Sequence, residues 1–294
     1  MEAHSSIPHV RLNPLPKTPG KSPNLCSFQH IKWRSFKPHT VAKLSKQRVG
    51  CRSRLECRSN AEKLENAASI GENFVEGVGR KKLAVFVSGG GSNFKSIHEA
   101  SVGGSIHGDI AALVTNKPDC GGAEYARLNG IPILSFPKTS SVPTGLSPID
   151  LVTSLRKLEV DFIVLAGYLK LLPVELIRAY PKSILNIHPS LLPAFGGKGY
   201  YGIKVHKAVI ASGARYSGPT VHFVDEHYDT GRILAQSVVP VMANDSAEEL
   251  AARVLREEHR LYVEVVSALC EGRIVWREDG VPLIQRRDNS NQYY

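Results

Sequence analysis

Residues 83–100 read LAVFVSGGGSNFKSIHEA, and this stretch decides the fold class. Residues 83–87 form an apolar run with the length and composition of a short buried strand. Residues 94–100 place their apolar side chains at helical spacing, and a glycine-rich turn joins the two parts. Strand, glycine-rich turn and helix in this order open a βαβ unit, so the stretch predicts an α/β domain.

The glycine-rich turn at residues 88–93 has the features of an anion site. Its glycines let the backbone approach a ligand closely, while Ser92, Asn93 and the free amides of the following helix point at that position. A dinucleotide is disfavoured, because the third glycine of its fingerprint would fall at Phe94 and no acidic residue follows the next strand, residues 110–114. The Lys and Ser/Thr that close a P-loop are also missing. The turn predicts a site for a single phosphate group, or a tight βα turn without a ligand.

Strand and helix patterns alternate along the rest of the chain. This alternation predicts a doubly wound, mostly parallel sheet in a single domain at residues 78–285. Ligands bind outside the carboxyl ends of the strands in such sheets, so we expect several loops to share one crevice. The predicted helices cover residues 120–128, 149–158, 203–211 and 245–269, with a further one ending near 180, and the predicted strands cover residues 110–114, 132–134, 162–165, 184–188, 218–224 and 233–241.

A second polar stretch, SILNIHPSLLPAF at residues 183–195, ends one of these strands. The strand places Asn186 and His188 at its carboxyl end and is stopped by Pro189. Asn offers a neutral donor and acceptor, and His carries or lends a proton near neutral pH. The pair predicts stabilisation of a charged carbonyl oxygen together with proton handling, or two polar residues satisfied at a strand end.

Acidic residues follow the strand that ends at residue 224. Asp225, Glu226 and Asp229 are either solvated turn residues, or one of them holds His188 in place and raises its pKa. On the last long helix, Glu258 falls on the apolar stripe, where a carboxylate is costly without a partner. That partner is either a sugar hydroxyl or amine of a ligand, or an internal Arg.

Three further features receive structural interpretations. The glycine-rich loop 194–201 is predicted to act as a lid, with Lys198 solvated rather than catalytic. His206 is interpreted as a surface or packing histidine, and His222 as a structural residue inside its strand. Asp245 and Glu248 have the spacing of a capping box at the start of the last helix, and residues 286–294 form a polar tail.

The charge of the chain is concentrated at its start. The 294 residues carry a formal net charge of +10, and residues 1–60, with 12 basic and 2 acidic side chains, account for all of it. The remaining body is neutral and lacks a basic helix, which disfavours nucleic-acid binding. It also has no stretch near the roughly 20 apolar residues of a membrane span.

Residues 1–75 are predicted to be a transit peptide and disordered leader, or a basic tail that stays attached. Prolines at 8, 14, 16, 19, 23 and 38 would interrupt a mitochondrial helix, so the plastid stroma is preferred over the mitochondrion.

Five segments together resemble the phosphoribosylglycinamide formyltransferases, in the order in which that family has them. The likeness extends over residues 82–275 and implies the formyltransferase variant of the Rossmann fold. It also implies an enzyme of purine biosynthesis that transfers a formyl group from 10-formyltetrahydrofolate to the amine of glycinamide ribonucleotide, without a metal or a covalent intermediate. The matching segments are residues 88–93, 166–172, 185–193, 222–229 and 256–259.

The resemblance also implies roles for individual residues. Asn186 and protonated His188 would stabilise the tetrahedral oxyanion, while Asp229 would keep His188 charged and position a water that relays the proton to the leaving nitrogen. The acceptor's phosphate would lie on Gly91, Ser92 and Asn93, and its ribose and glycinamide end on Glu258. The folate pterin would contact Leu169, Lys170, Leu171, Leu172, Asp225, Glu226, His227 and Tyr228.

Related activities remain as alternatives. A formyltetrahydrofolate deformylase shares the Asn, His and Asp set but hydrolyses the donor and does not need the phosphate turn. Methionyl-tRNA formyltransferase carries a further carboxyl-terminal domain for which no residues remain here. A non-catalytic folate binder would have no use for a proton-handling set. The partners expected are the two small molecules, and the protein is expected to be a monomer or homodimer.

Overall fold

The chain folds around a seven-stranded sheet, which the computed structural model describes over residues 79–140 and 142–294. The predicted leader, residues 1–75, lies outside the described residues. The strands are β1 (Lys81–Val87), β2 (Gly108–Thr115), β3 (Ile133–Ser135), β4 (Phe162–Leu165), β5 (Ile184–His188), β6 (Tyr216–Ser217), β7 (Thr220–Phe223), β8 (Ile233–Gln236), β9 (Val239–Pro240), β10 (Ile274–Trp276) and β11 (Pro282–Ile284). The helices are α1 (Ser92–Val102), α2 (Gly121–Leu128), α3 (Pro148–Lys157), α4 (Val174–Ala179), α5 (Ile203–Ser212) and α6 (Ala247–Cys270).

The sheet has the order β3-β2-β1-β4-β5-β7-β8. Its first five strands pair in parallel, whereas β7 and β8 are antiparallel to their neighbours. The prediction of a doubly wound, mostly parallel sheet is therefore confirmed. The chain leaves β1 toward β2 and β3 and returns to β4 on the other side, so the carboxyl ends of β1 and β4 enclose the crevice where such sheets bind ligands.

The side chains of β1 alternate between two apolar layers, as the period of a strand requires. Leu83, Val85 and Val87 belong to one layer, which includes α1 and α6. Ala84 and Phe86 belong to the other, which includes α3 and α4. All five side chains are fully buried, and this explains why the strand reads as a continuous apolar run.

One predicted strand is divided. Residues 233–241 form β8 in the sheet and then β9, which pairs with β6 in a separate ribbon. The sheet ends at Gln236, and the amide of Ser237 donates to Pro219 O (3.1 Å) as the chain turns away. Near the carboxyl end, β10 and β11 pair as an antiparallel hairpin. The exposed tail 286–294 returns to β11, where Ile284 and Tyr294 exchange two backbone hydrogen bonds.

The capping box of α6 lies one residue beyond the predicted position. Ser246 is the N-cap, and its hydroxyl accepts from the amide of Glu249 while the Glu249 carboxylate accepts from the amide of Ser246. Asp245 instead accepts two hydrogen bonds from Arg253. The pair of Asp245 and Glu248 was therefore the wrong choice, because two overlapping sequences have the same spacing and the backbone selects between them.

No helix in the described part of the chain combines the length and the apolar character needed to span a bilayer.

Candidate active site

A cavity of about 850 Å³ lies at the carboxyl ends of β1, β4 and β5. The glycine-rich turn, the loop at Gly167, Asn186 and His188 all line it, as expected from the order of the strands. Glu258 and Asp229 reach it from other elements. The loops following β1, β4, β5 and β7, together with α5 and α6, thus enclose one space.

The glycine-rich turn is held in an unusual backbone shape. Gly91 precedes α1 with φ of 72°, which is the left-handed region, and a Cβ there would lie 2.9 Å from the Cα of Gly122. Only glycine avoids both penalties. Gly91, Ser92 and Asn93 line the cavity where α1 begins, and the start of a helix is suited to an anion.

Ser88 connects the loops that follow β1, β2 and β4. Its hydroxyl donates to Asn116 Oδ1 (2.6 Å) and accepts from the amide of Leu169 (2.9 Å), and its own amide donates to Gly167 O (3.1 Å). Neither Ser88 nor Asn116 was assigned this role from the sequence. The available signal was that each is a polar residue immediately after one of two neighbouring strands.

Glu258 is buried on the cavity side of α6, as its place on the apolar stripe predicts. Its Oε2 accepts from Asn93 Nδ2 at 2.7 Å, so its partner within the protein is an amide and not the internal Arg that was one of the two alternatives. Burial raises the pKa of Glu258 above its ordinary value, and the hydrogen bond from Asn93 opposes this effect. The buried Oδ1 of Asn93 has no hydrogen-bond partner among the described residues, so this wall offers acceptors to a ligand that brings hydrogen-bond donors.

Asn186, His188, His222 and Asp229 form a polar cluster in the cavity floor. Asn186 Nδ2 lies 3.0 Å from His222 Nε2 and 3.5 Å from Asp229 Oδ1. His222 Nδ1 lies 2.9 Å from the carbonyl of Phe223, which can only accept, so Nδ1 carries a hydrogen, while Nε2 faces both the Asn186 amide and, at 3.6 Å, Asp229 Oδ1. The structural interpretation of His222 was incomplete, because antiparallel pairing of β5 with β7 places it directly opposite Asn186.

Both ring nitrogens of His188 face acceptors. Nε2 donates to the carbonyl oxygen of Phe195 (2.9 Å), and Nδ1 lies 3.4 Å from Asp229 Oδ2. Burial lowers the pKa of His188 below its ordinary value, while the charge of Asp229 and the Phe195 carbonyl act in the opposite direction. The protonated ring therefore depends on these two acceptors.

Asp229 is held as a carboxylate. Burial alone would raise its pKa, but the His222 ring, the charge of His188 and the amide of Gly197, which donates to Oδ2 at 2.9 Å, together keep the pKa below its ordinary value. Its backbone φ is 57°, a strained conformation for a residue other than glycine. Strain of this kind persists where the surroundings fix the side chain, and here the fixed carboxylate faces His188.

The donor wall predicted from the resemblance is only partly assembled in the cavity. Leu169, Lys170, Leu171, Leu172, His227 and Tyr228 line it. Asp225 and Glu226 do not line it: Asp225 accepts from Thr230 Oγ1 (2.7 Å) and the amide of His227 (2.9 Å), and Glu226 lies 3.7 Å from Arg178. The expectation that these two side chains contact the ligand is not supported by the geometry, because both are used within their own loop or toward α4.

The predicted lid covers part of the cavity. Gly197, Lys198 and Gly199 line it, and the Lys198 side chain is exposed. His206 also lines the cavity and is only 4% exposed, so it is not a surface histidine. Of the two interpretations, surface or packing, burial agrees with packing, whereas its place in the cavity was missed because the sequence does not show that α5 packs against α6.

Comparisons with known proteins agree with this geometry. The formyl transferase family model matches residues 81–266. A protein of Vigna unguiculata named chloroplastic phosphoribosylglycinamide formyltransferase is 78% identical over 216 residues, which are 74% of this chain and 69% of the relative. The Arabidopsis thaliana protein of the same name is 73% identical, over 73% of this chain and 74% of the relative. The crystal structure of glycinamide ribonucleotide transformylase 1 from Symbiobacterium toebii superposes with a TM-score of 0.62 at 34% identity, covering 71% of this chain and 97% of that one.

Proposed function

The chain belongs to the phosphoribosylglycinamide formyltransferase family, and from this membership we propose how its cavity transfers a formyl group to the amine of glycinamide ribonucleotide in purine biosynthesis. The observation that carries the proposal is the meeting of Asn186, His188 and Asp229 in one cavity with the glycine-rich turn and Glu258. The formyl donor in the proposal is 10-formyltetrahydrofolate, the co-substrate of this family. The two plant relatives are both named chloroplastic, which confirms the plastid location predicted from the leader.

The acceptor is proposed to lie between α1 and α6. Its phosphate accepts hydrogen bonds from the backbone of Gly91, Ser92 and Asn93, where α1 begins. Its ribose hydroxyls and glycinamide end donate to Glu258 and to the unpartnered Oδ1 of Asn93. The side-chain amide of Asn93 is already occupied by Glu258, so we assign only its backbone to the phosphate.

The donor is proposed to lie on the opposite side, against the loops after β4 and β7. Leu169 and Leu171 are about half exposed, at 51% and 47%, and Tyr228 is 41% exposed, so they offer an apolar surface to a flat ring system. Leu172 is buried and closes the bottom of this surface. Lys170 and His227 supply polar atoms at its margin.

The chemistry proposed is direct attack by the acceptor's amine on the formyl carbon. A carbon–nitrogen bond forms, and the formyl oxygen becomes an oxyanion that accepts from Asn186 Nδ2 and His188. Collapse of the intermediate breaks the bond to the folate nitrogen. The attacking nitrogen loses one proton and the leaving nitrogen gains one, through a water held by Asp229. The longer of the Asn186 contacts, 3.5 Å to Asp229 Oδ1, is the one that the formyl oxygen would replace.

The contact between His188 and Phe195 sets a condition on this mechanism. Because Nε2 donates to the Phe195 carbonyl and Nδ1 faces Asp229, no ring hydrogen is left for the formyl oxygen. The lid must therefore move away from His188 before the oxyanion forms. Lid movement of this kind accompanies substrate binding in many enzymes.

The test uses the full chain with 10-formyltetrahydrofolate, in the presence and absence of glycinamide ribonucleotide, and follows loss of the donor's formyl group. Loss that requires the ribonucleotide and yields its formylated product is the expected result. Equal loss in both reactions would identify a deformylase, and no loss in either would leave a folate binder. Both of these outcomes contradict the proposal.

A further inference from the structure

His206 is a buried histidine in the cavity wall for which the mechanism above has no use. It lies on α5, is 4% exposed, and lines the same cavity as His188 and Glu258. A titratable side chain buried at a reaction centre is a candidate for a role in binding or chemistry.

The hydrogen-bonding state of His206 differs from that of the other two buried histidines of the cavity. His188 donates to Phe195 O, and His222 uses both of its ring nitrogens. The Nδ1 atom of His206 is buried and has no hydrogen-bond partner within the described residues. Leaving such an atom unpaired is costly, so its retention in a ligand cavity points to a ligand atom as its partner.

The position of His206 identifies the side of the cavity that it serves. Its neighbours on α5, Val205 and Val209, pack against Leu250 and Val254 of α6. Glu258 follows Val254 by one helical turn and lines the cavity, as do Ala251 and Leu255. His206 is therefore carried by the helix that packs against α6, which forms part of the acceptor wall, whereas the loops that carry Leu169–Leu172 and Tyr228 form the donor wall.

The surroundings favour an uncharged ring at this position. Burial lowers the pKa of His206 below its ordinary value, and the charge of His188 lowers it further. A neutral imidazole has one donor and one acceptor nitrogen, so His206 can accept from an N–H group without placing a second positive charge beside His188.

We propose that His206 accepts a hydrogen bond from the amino group of the acceptor and thereby directs the nitrogen lone pair toward the formyl carbon. The inference rests on the proposed function, because it assigns a substrate-positioning residue to that reaction. It differs from the roles of Asn186, His188 and Asp229, which act on the formyl oxygen and the leaving nitrogen.

The test compares His206→Leu with His206→Asn in the full chain. Leucine removes the polar atom at similar volume, whereas asparagine places an amide oxygen or nitrogen near the position of Nδ1. For His206→Leu we expect the KM for glycinamide ribonucleotide to rise about tenfold to a hundredfold, as for loss of one buried hydrogen bond, with the KM for 10-formyltetrahydrofolate nearly unchanged. His206→Asn should recover most of the loss. His98→Leu is the matched control, because His98 of α1 forms a hydrogen bond with the hydroxyl of Tyr125 on α2 (3.0 Å) and does not line the cavity.

Three outcomes would overturn the inference. Unchanged kinetics in His206→Leu would mean that water satisfies Nδ1. Equal loss in both variants, with both KM values raised, would mean that the ring only packs. If His206→Leu does not fold, His206→Gln replaces it, because the glutamine amide reaches the position of Nε2 rather than that of Nδ1. A KM for glycinamide ribonucleotide in His206→Asn that is no lower than in His206→Gln would then contradict the proposal. Failure of the proposed function is seen separately, as absence of transfer by the unmodified chain.

Discussion

The charge of His188 is set by a balance between burial and two acceptors. Burial disfavours the imidazolium, while Asp229 and the Phe195 carbonyl favour it. In the proposed mechanism the Phe195 contact is lost when the lid moves, so Asp229 is then the remaining protein group that holds the proton on the ring. Asp229 itself stays ionised because His188, His222 and the Gly197 amide surround it.

Replacing Asp229 with Asn tests this balance. Asp229 raises the pKa of His188, so its removal lowers that pKa, and the ring loses its proton at a lower pH. We expect kcat to fall on the order of a hundredfold or more at neutral pH, and the alkaline decline of kcat to begin at lower pH than in the unmodified enzyme. The pH dependence of kcat measures both effects. In His188→Ala that pH dependence should disappear, and an alkaline decline unchanged in Asp229→Asn would contradict the assignment.

The ionised Glu258 carboxylate lowers the stability of the folded protein while it serves the proposed acceptor site. Its pKa is raised in the folded protein, so the folded state binds more protons than the unfolded state as the pH rises past the ordinary value. The contribution of Glu258 to the free energy of unfolding is therefore fully present at low pH and is lost as the pH rises through the pKa of the folded protein. At neutral pH the buried carboxylate then destabilises the folded state.

Glu258→Gln should therefore be at least as stable as the unmodified chain at pH 8 and similar to it near pH 4. Its KM for glycinamide ribonucleotide should rise at least about tenfold, because a charge-assisted hydrogen bond is lost. Denaturant midpoints at the two pH values and steady-state kinetics measure the two effects. Glu257→Gln is the control, since Glu257 pairs with Arg260 (2.9 Å) and does not line the cavity. An unchanged KM in Glu258→Gln would remove Glu258 from the acceptor site.

Single residues were predictable where a strand sequence ends on polar side chains. Asn186 and His188 stand out for this reason, as does Glu258 on an apolar helix stripe. His222 does not, because its contact with Asn186 depends on the register between β5 and β7. The place of His206 in the cavity wall was missed for a similar reason, since it depends on the packing of two helices far apart in sequence.

At the scale of elements, the glycine-rich turn is fixed by its contact with α2. The amide of Gly122 donates to Gly89 O (3.0 Å), and Gly91 nearly touches Gly122. A side chain at Gly91 would separate the turn from α2 and move the start of α1.

Gly91→Ala should lower the free energy of unfolding by about 2–4 kcal/mol, from left-handed strain and the clash with Gly122 together. It should also raise the KM for glycinamide ribonucleotide, because the amides of α1 shift. Gly104→Ala is a matched control: its φ of 77° is similar, but a Cβ there meets nothing within 4 Å. We expect the control to lose only about 1 kcal/mol in urea unfolding, with normal kinetics. Equal losses in both variants would mean that the contact with α2 is unimportant.

The bounds of the elements were predicted best where composition changes abruptly. β4 was predicted at residues 162–165, and the structure has Phe162–Leu165, between Asp161 and the Gly167 turn. β1 begins two residues before the predicted start, since Lys81 and Lys82 pair with β2 while their side chains reach Asp161 and Glu159. A charged side chain at the end of a strand does not reveal whether its backbone is paired.

At the scale of the whole molecule, the charge separates the leader from the body. Residues 1–60 account for the full net charge of +10, and the remaining residues are neutral. The parallel order of the sheet followed from alternation of strands and helices, whereas the antiparallel addition of β7 and β8 did not. Periodicity shows that a strand exists but not its direction, so the register that assembles the site became visible only in the structure.

The location of the protein is predicted to depend on the leader. The full chain with a fluorescent protein at its carboxyl end should accumulate in plastids of plant cells, and residues 76–294 with the same tag should remain in the cytosol. Microscopy and cell fractionation measure the distribution. Plastid accumulation of the shortened chain would place the targeting information in the body.

The central position of β5 has a consequence for hydrogen exchange. Its backbone pairs with β4 on one edge and with β7 on the other. Its amide protons should therefore exchange with deuterium only when the sheet opens, among the slowest in the protein, while those of the lid glycines exchange through local fluctuations. Asn186 and His188 then remain in place for as long as the domain is folded, and gradual warming should disorder the cover of the cavity well before it disturbs the reacting groups.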